Sequence, residues 1–74
     1  MKKLRIEIIT DKFILIPEYA DTIKDAEVIA AKALHNNAVR VRIFRNKDYK
    51  MVKEYYFANG DNDEIHIHSI LPFK

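Results

Sequence analysis

A single glycine, Gly60, and two prolines, Pro17 and Pro72, leave this chain of 74 residues almost nowhere to break. Glycine and proline are the strongest punctuators of local structure. With so few, the sequence has room for regular elements and short turns and for little else. A chain this short buries only roughly 60% of the surface it exposes when unfolded. It therefore needs an efficient core, a staple or a partner. Cysteine is absent, which removes disulfides and thiolate metal sites and fits a reducing compartment.

Period-two alternation marks the strands. Leu4, Ile6 and Ile8 alternate with Arg5 and Glu7, the pattern of a half-buried strand. Thr10-Asp11-Lys12 is a polar break, and Phe13 to Ile16 is a short β-favouring run ended by Pro17. If the hairpin turns at Asp11-Lys12, Ile9, Ile14 and Ile16 point to one face, opposite an Ile8 and Leu15 pair. Val39, Val41 and Ile43 alternate with Arg40, Arg42 and Phe44 over Ala38 to Arg45. Lys50 to Ala58 reads as a strand rich in aromatic residues, Asn59-Gly60-Asp61 as a turn, and Glu64 to Ile70 as a last strand.

Between these lies one helix. Asp21 reads as its N-cap and Thr22 to Asn36 as its body. Ile23, Ala26, Ala30, Ala33 and Leu34 form a stripe at helical spacing, flanked by Ile29. This stripe is expected to bury against Ile6, Val41 and Ile67. Asn36 and Asn37 suit a left-handed helix stop. The expectation is one α+β domain spanning residues 1–74. A single helix covers one face of a four- to five-stranded, mostly antiparallel sheet in the order ββαβββ. That element order resembles the β-grasp of ubiquitin-like proteins, in which Asp21-Thr22-Ile23 would sit where the helix begins. The chain ends in Leu71-Pro72-Phe73-Lys74 with no Gly-Gly, so the resemblance does not extend to conjugation.

Chemistry-bearing constellations are sparse. His66 and His68 fall on one face of a strand and could begin a zinc, nickel or copper site. Asp63 and Glu64 are nearby carboxylates, while His35 belongs to the opposite side of the sheet. Two imidazoles fall short of the usual four zinc ligands, so a solvated strand face is the expectation, with no metal and no cofactor. The acidic run Gly60 to Glu64 lacks the spacing of a calcium loop. Ser69, the lone serine, has no base on its side of the strand. A His-dependent hydrolase or nuclease built on His66 and His68 ranks third among readings, and the chain is expected not to be an enzyme.

One helix covers only one sheet face, so the other meets water or a partner. Its expected contents are Lys3, Arg5 and Glu7, then Arg40, Arg42 and Phe44, then His66 and His68, with Ile9, Ile14 and Ile16 added by a turn at Asp11-Lys12. Glu7 and Glu54 could each face outward beside a basic residue as cross-strand charge pairs. Pairing of Phe44 with Met51 would add Lys53 and Tyr55, whereas a shift of one residue would add Glu54 and Tyr56 instead. Arginine and aromatic side chains suit a protein interface. They also suit single-stranded nucleic acid, whose bases stack on rings. The aliphatic residues and a net charge of only +2 favour a protein partner or self-association, with nucleic acid second. A lesser candidate surface is the helix side bearing Val28, Ala31 and His35. No apolar run is long enough to span a membrane, and a cytoplasmic protein without membrane contact is expected. The frequent Lys, Ile, Asn and Tyr fit an AT-rich coding sequence, as in a low-GC bacterium, a phage or a mobile element.

Overall fold

The computed structural model describes residues 2–57 and 65–69. The elements run β1 (Leu4–Thr10), β2 (Leu15–Ala20), α1 (Ile23–His35), β3 (Ala38–Arg45), β4 (Lys50–Phe57) and β5 (Ile65–Ser69). The strands form one sheet in the order β2-β1-β3-β4-β5, with every neighbouring pair antiparallel. This is the α+β architecture expected. A β-grasp sheet pairs its first and last strands in parallel at its centre. Here β5 lies at an edge, so the resemblance ends at the element order.

The helix starts one residue later than expected. Thr22, not Asp21, caps it: the Thr22 hydroxyl accepts the Asp25 N–H at 3.1 Å. Asp21 instead accepts the Lys3 N–H at 3.2 Å and ties β1 to the end of β2. At the other end Asn36 donates through Nδ2 to the Lys32 carbonyl at 3.0 Å, and Asn37 adopts φ 71°, the left-handed stop.

Helix α1 leads from β2 to β3, which flank β1, so it lies across β1, β2 and β3. Ala26 and Ala30 are fully buried and let the helix approach the sheet. Ile23, Ile29, Ala33 and Leu34 pack half-buried around Leu4, Ile6, Ile8, Val41 and Ile43. Each fully buried aliphatic side chain here stabilises the fold by about 1.5–3 kcal/mol. Ile67 is not part of this core and is 59% exposed, against expectation. The reason is reach. β5 stands two strands beyond β3, about 10 Å away, and one helix is only about 10 Å wide.

Pro17 does not end β2. It lies mid-strand opposite Glu7. In an antiparallel ladder, hydrogen-bonded and non-hydrogen-bonded pairs alternate. The Thr10 N–H donates to the Ile14 carbonyl at 3.0 Å, which sets the phase. Pro17 thus falls where backbone groups face away from β1, and its missing N–H costs the sheet nothing.

Candidate functional site

The first hairpin turns through three residues, Asp11 to Phe13. The Phe13 N–H donates to the Thr10 carbonyl at 2.9 Å, closing a turn whose last residue is left-handed, Phe13 at φ 61°. The register is therefore Ile8 opposite Ile16 and Ile9 opposite Leu15. This corrects the expected Ile8 and Leu15 pair by one residue. Leu15 joins Ile9 on the open face, and Ile16 goes to the helix side. Ile14 precedes β2 and is exposed in the turn rather than on the sheet.

A second irregularity reorients β4. Phe44 does pair with Met51, but Ile43 pairs with Lys53, so Val52 is an extra, unpaired residue. This bulge reverses the consequence expected of the Phe44 and Met51 pair. Lys53 and Tyr55 turn to the helix side, and Glu54 and Tyr56 to the open face. Tyr55 is buried, and Lys53 donates to Glu27 of α1. That bond raises the Lys53 pKa, and burial raises that of Tyr55.

The register brings together on the open face Leu15, Pro17 and Tyr19 of β2, and Arg5, Glu7 and Ile9 of β1. Arg40, Arg42 and Phe44 of β3 follow, then Met51, Glu54 and Tyr56 of β4, and His66 and His68 of β5. Of the residues expected there, Arg5, Glu7, Ile9, Arg40, Arg42, Phe44, His66 and His68 share this face. Lys53, Tyr55 and Ile14 do not. Tyr19, Tyr49 and Phe13 were not among those expected. Tyr19 was hidden by reading Pro17 as a strand end, and the turn residues Phe13 and Tyr49 by the absence of a turn signal such as glycine.

The charges on this face are paired with one another. Arg42 donates to Glu54 at 3.0 Å, and Arg40 lies 3.6 Å from the same carboxylate oxygen. Arg5 donates to Glu7 at 3.1 Å and to the Tyr19 hydroxyl at 2.6 Å. The Glu7 bond raises the Arg5 pKa. Glu7 is the sole buried charged residue among those described, 7% exposed, and the Tyr49 hydroxyl donates to it as well. Donation to a carboxylate holds the phenol proton and raises the Tyr49 pKa. Rings complete the surface. Phe44 and Tyr49 stack at 4.5 Å, Tyr56 and His66 at 5.4 Å, and the Arg40 guanidinium lies 5.7 Å from the Tyr56 ring centre.

Tyr49, like Phe13, is left-handed, at φ 56°. Such a conformation costs a non-glycine residue of order 1–3 kcal/mol. Tyr49 recovers stacking and a hydrogen bond. Phe13 is 87% exposed, with no aromatic partner among the described residues.

His68 faces Glu54 across the strands, but Arg42 and Arg40 already engage that carboxylate. Among the described residues no group of three or more His, Cys, Asp or Glu could hold a metal ion. Asp63, Glu64 and the turn at Asn59-Gly60-Asp61 lie outside the described residues. No described helix is long and apolar enough to cross a membrane. Compared with protein-family models, curated proteins and solved structures, the chain finds no match.

Proposed function

We propose that this chain is a non-catalytic protein-binding module, an accessory or inhibitor subunit or a self-associating one, whose contact surface is the open sheet face and the β2 edge. One observation carries the reading. The three arginines of the face are ion-paired with two carboxylates, Glu7 and Glu54, while Leu15 and Tyr19 are 47% and 45% exposed beside them. Paired charges next to exposed rings and aliphatic side chains match the make-up of a protein interface. Phosphates would have to displace two carboxylates first.

A second reading is a nucleic-acid platform. The sequence of Arg40, Tyr56 and His66 across three strands supports it, since rings and cations in a row can stack bases and meet phosphates. It is weakened by the turn of Lys53 and Tyr55 to the helix side.

The test compares tagged wild-type chain with a Leu15→Asp/Tyr19→Ala variant, both shown folded by circular dichroism. Each is used to retain material from extracts of producing cells at low and high salt. A protein retained at both salts by wild type alone supports the first reading. Nucleic acid retained at low salt and lost steeply at high salt supports the second, because phosphate binding releases counterions. Identical retention by the two chains would overturn the open-face surface.

A further inference from the structure

The hairpin tip adds a sharper feature, which rests on the protein-binding reading. We propose that Phe13 is the anchor of this surface, its ring inserting into an apolar pocket on a partner protein. The tip is rigid. Thr10 organises it: its backbone N–H donates to the Ile14 carbonyl, its carbonyl accepts the Phe13 N–H, and its hydroxyl accepts the N–H of both Lys12 and Ile14. The Asp11 N–H donates to the Asn37 carbonyl at 3.1 Å, fastening the tip to the end of the helix. An aromatic ring presented by a rigid loop loses little conformational freedom on binding, the economy of known interface anchors.

The backbone gives the second reason. The left-handed position in this turn suits glycine or asparagine, and a phenylalanine there is strained. No ring stacks on Phe13 within the described residues, and it is 87% exposed. Ile14 and Leu15 continue the apolar surface, at 56% and 47% exposure.

Charge decides the occupant. The tip carries Asp11 beside Lys12, a balanced pair that offers an anionic lipid surface no cation cluster to hold, whereas an apolar protein pocket needs none. The pocket's lining is therefore aliphatic or aromatic and its rim without a strong net charge.

The experiment places a photo-reactive phenylalanine analogue at position 13, with the exposed β3–β4 loop position Lys47 as control, in cells that produce the chain. The captured protein is purified and titrated calorimetrically with wild type, Phe13→Gly, Phe13→Leu and the Leu15→Asp/Tyr19→Ala variant. One adduct specific to position 13 is expected. Phe13→Gly should weaken binding at least about 30-fold while raising the melting temperature by roughly 4–8 °C. Phe13→Leu should retain most of the affinity. Equal affinity of Phe13→Gly and wild type, or no adduct beyond the Lys47 control, would overturn the anchor. In the first case, weakened binding by Leu15→Asp/Tyr19→Ala would leave the open-face surface standing, and full binding by both variants would remove it too. Binding to vesicles of phosphatidylcholine and phosphatidylglycerol, or a dimer of the chain alone that Phe13→Gly dissociates, would overturn the choice of occupant.

Discussion

Two loops of this molecule place an aromatic residue in the left-handed region, and they differ in what offsets its cost. In the β3–β4 loop, Tyr49 stacks on Phe44 and donates to the buried Glu7. In the β1–β2 loop, Phe13 stands 87% exposed. The same backbone strain is thus structural in one loop and unreturned in the other. The proposed anchor role of Phe13 accounts for strain that the fold does not offset. The contrast also separates residues that hold the open face together from those that it offers.

The largest expected effect is on the repaid side. Tyr49→Gly relieves the backbone but removes the ring from Phe44 and a hydrogen bond from Glu7. Losing a partner at a buried carboxylate outweighs the relief. The melting temperature should fall by roughly 5 °C or more, and retention of wild-type stability would mean that the Glu7 network does not support the fold.

Next comes Arg42→Glu, which places a carboxylate opposite Glu54. It should destabilise by about 1–2 kcal/mol, the difference between an attractive and a repulsive cross-strand pair. The double swap Arg42→Glu/Glu54→Arg should recover only part of that in urea denaturation, because the carboxylate at 42 still faces Glu7 and Arg40 loses its partner. Charge reversal at Arg40 and Arg42 together is therefore not neutral for the fold, although both side chains sit on the open face.

Titration sharpens the role of Tyr49. Its folded pKa is raised by donation to Glu7, so its contribution is present below the unfolded tyrosine value near pH 10 and is lost as the phenol ionises above it. Tyr49→Phe should flatten the alkaline loss of stability followed by pH-dependent denaturation. Some loss should remain, because Tyr55 and Lys53 are raised as well. An unchanged alkaline profile would contradict the Tyr49–Glu7 bond.

The smallest effect belongs to Asp48, which accepts from Arg45 at 3.0 and 2.7 Å. This pairing lowers its pKa from 3.8 to about 2. Its contribution is present above 3.8 and lost as pH falls toward about 2, so Asp48→Asn should reduce stability near neutrality slightly and weaken the acid dependence in that window.

Periodicity made the element order readable, because β1 and β3 alternate cleanly and the Ala26–Ala30 stripe permits only one helix face. The side of the sheet taken by Arg5, Arg40 and Arg42 followed from the same alternation. What escaped was every feature that depends on one extra residue. The Val52 bulge carries no glycine and interrupts no pattern, yet it exchanges Lys53 and Tyr55 for Glu54 and Tyr56 on the open face. The first turn holds its left-handed residue as phenylalanine, so nothing in the sequence marked a three-residue loop, and the hairpin register came out one residue off. That Glu7 and Glu54 pair with basic neighbours was legible from the alternation, but that Arg40 and Arg42 share Glu54 was not, because it depends on the register of β4.

Thermal unfolding of Phe13→Gly and Tyr49→Gly side by side tests the contrast most directly. Both variants remove an aromatic ring and relieve the same backbone conformation. The expected result is opposite signs, a higher melting temperature for Phe13→Gly and a lower one for Tyr49→Gly. A lower melting temperature for Phe13→Gly would show that the Phe13 ring stabilises the chain itself, and would contradict its assignment to a partner.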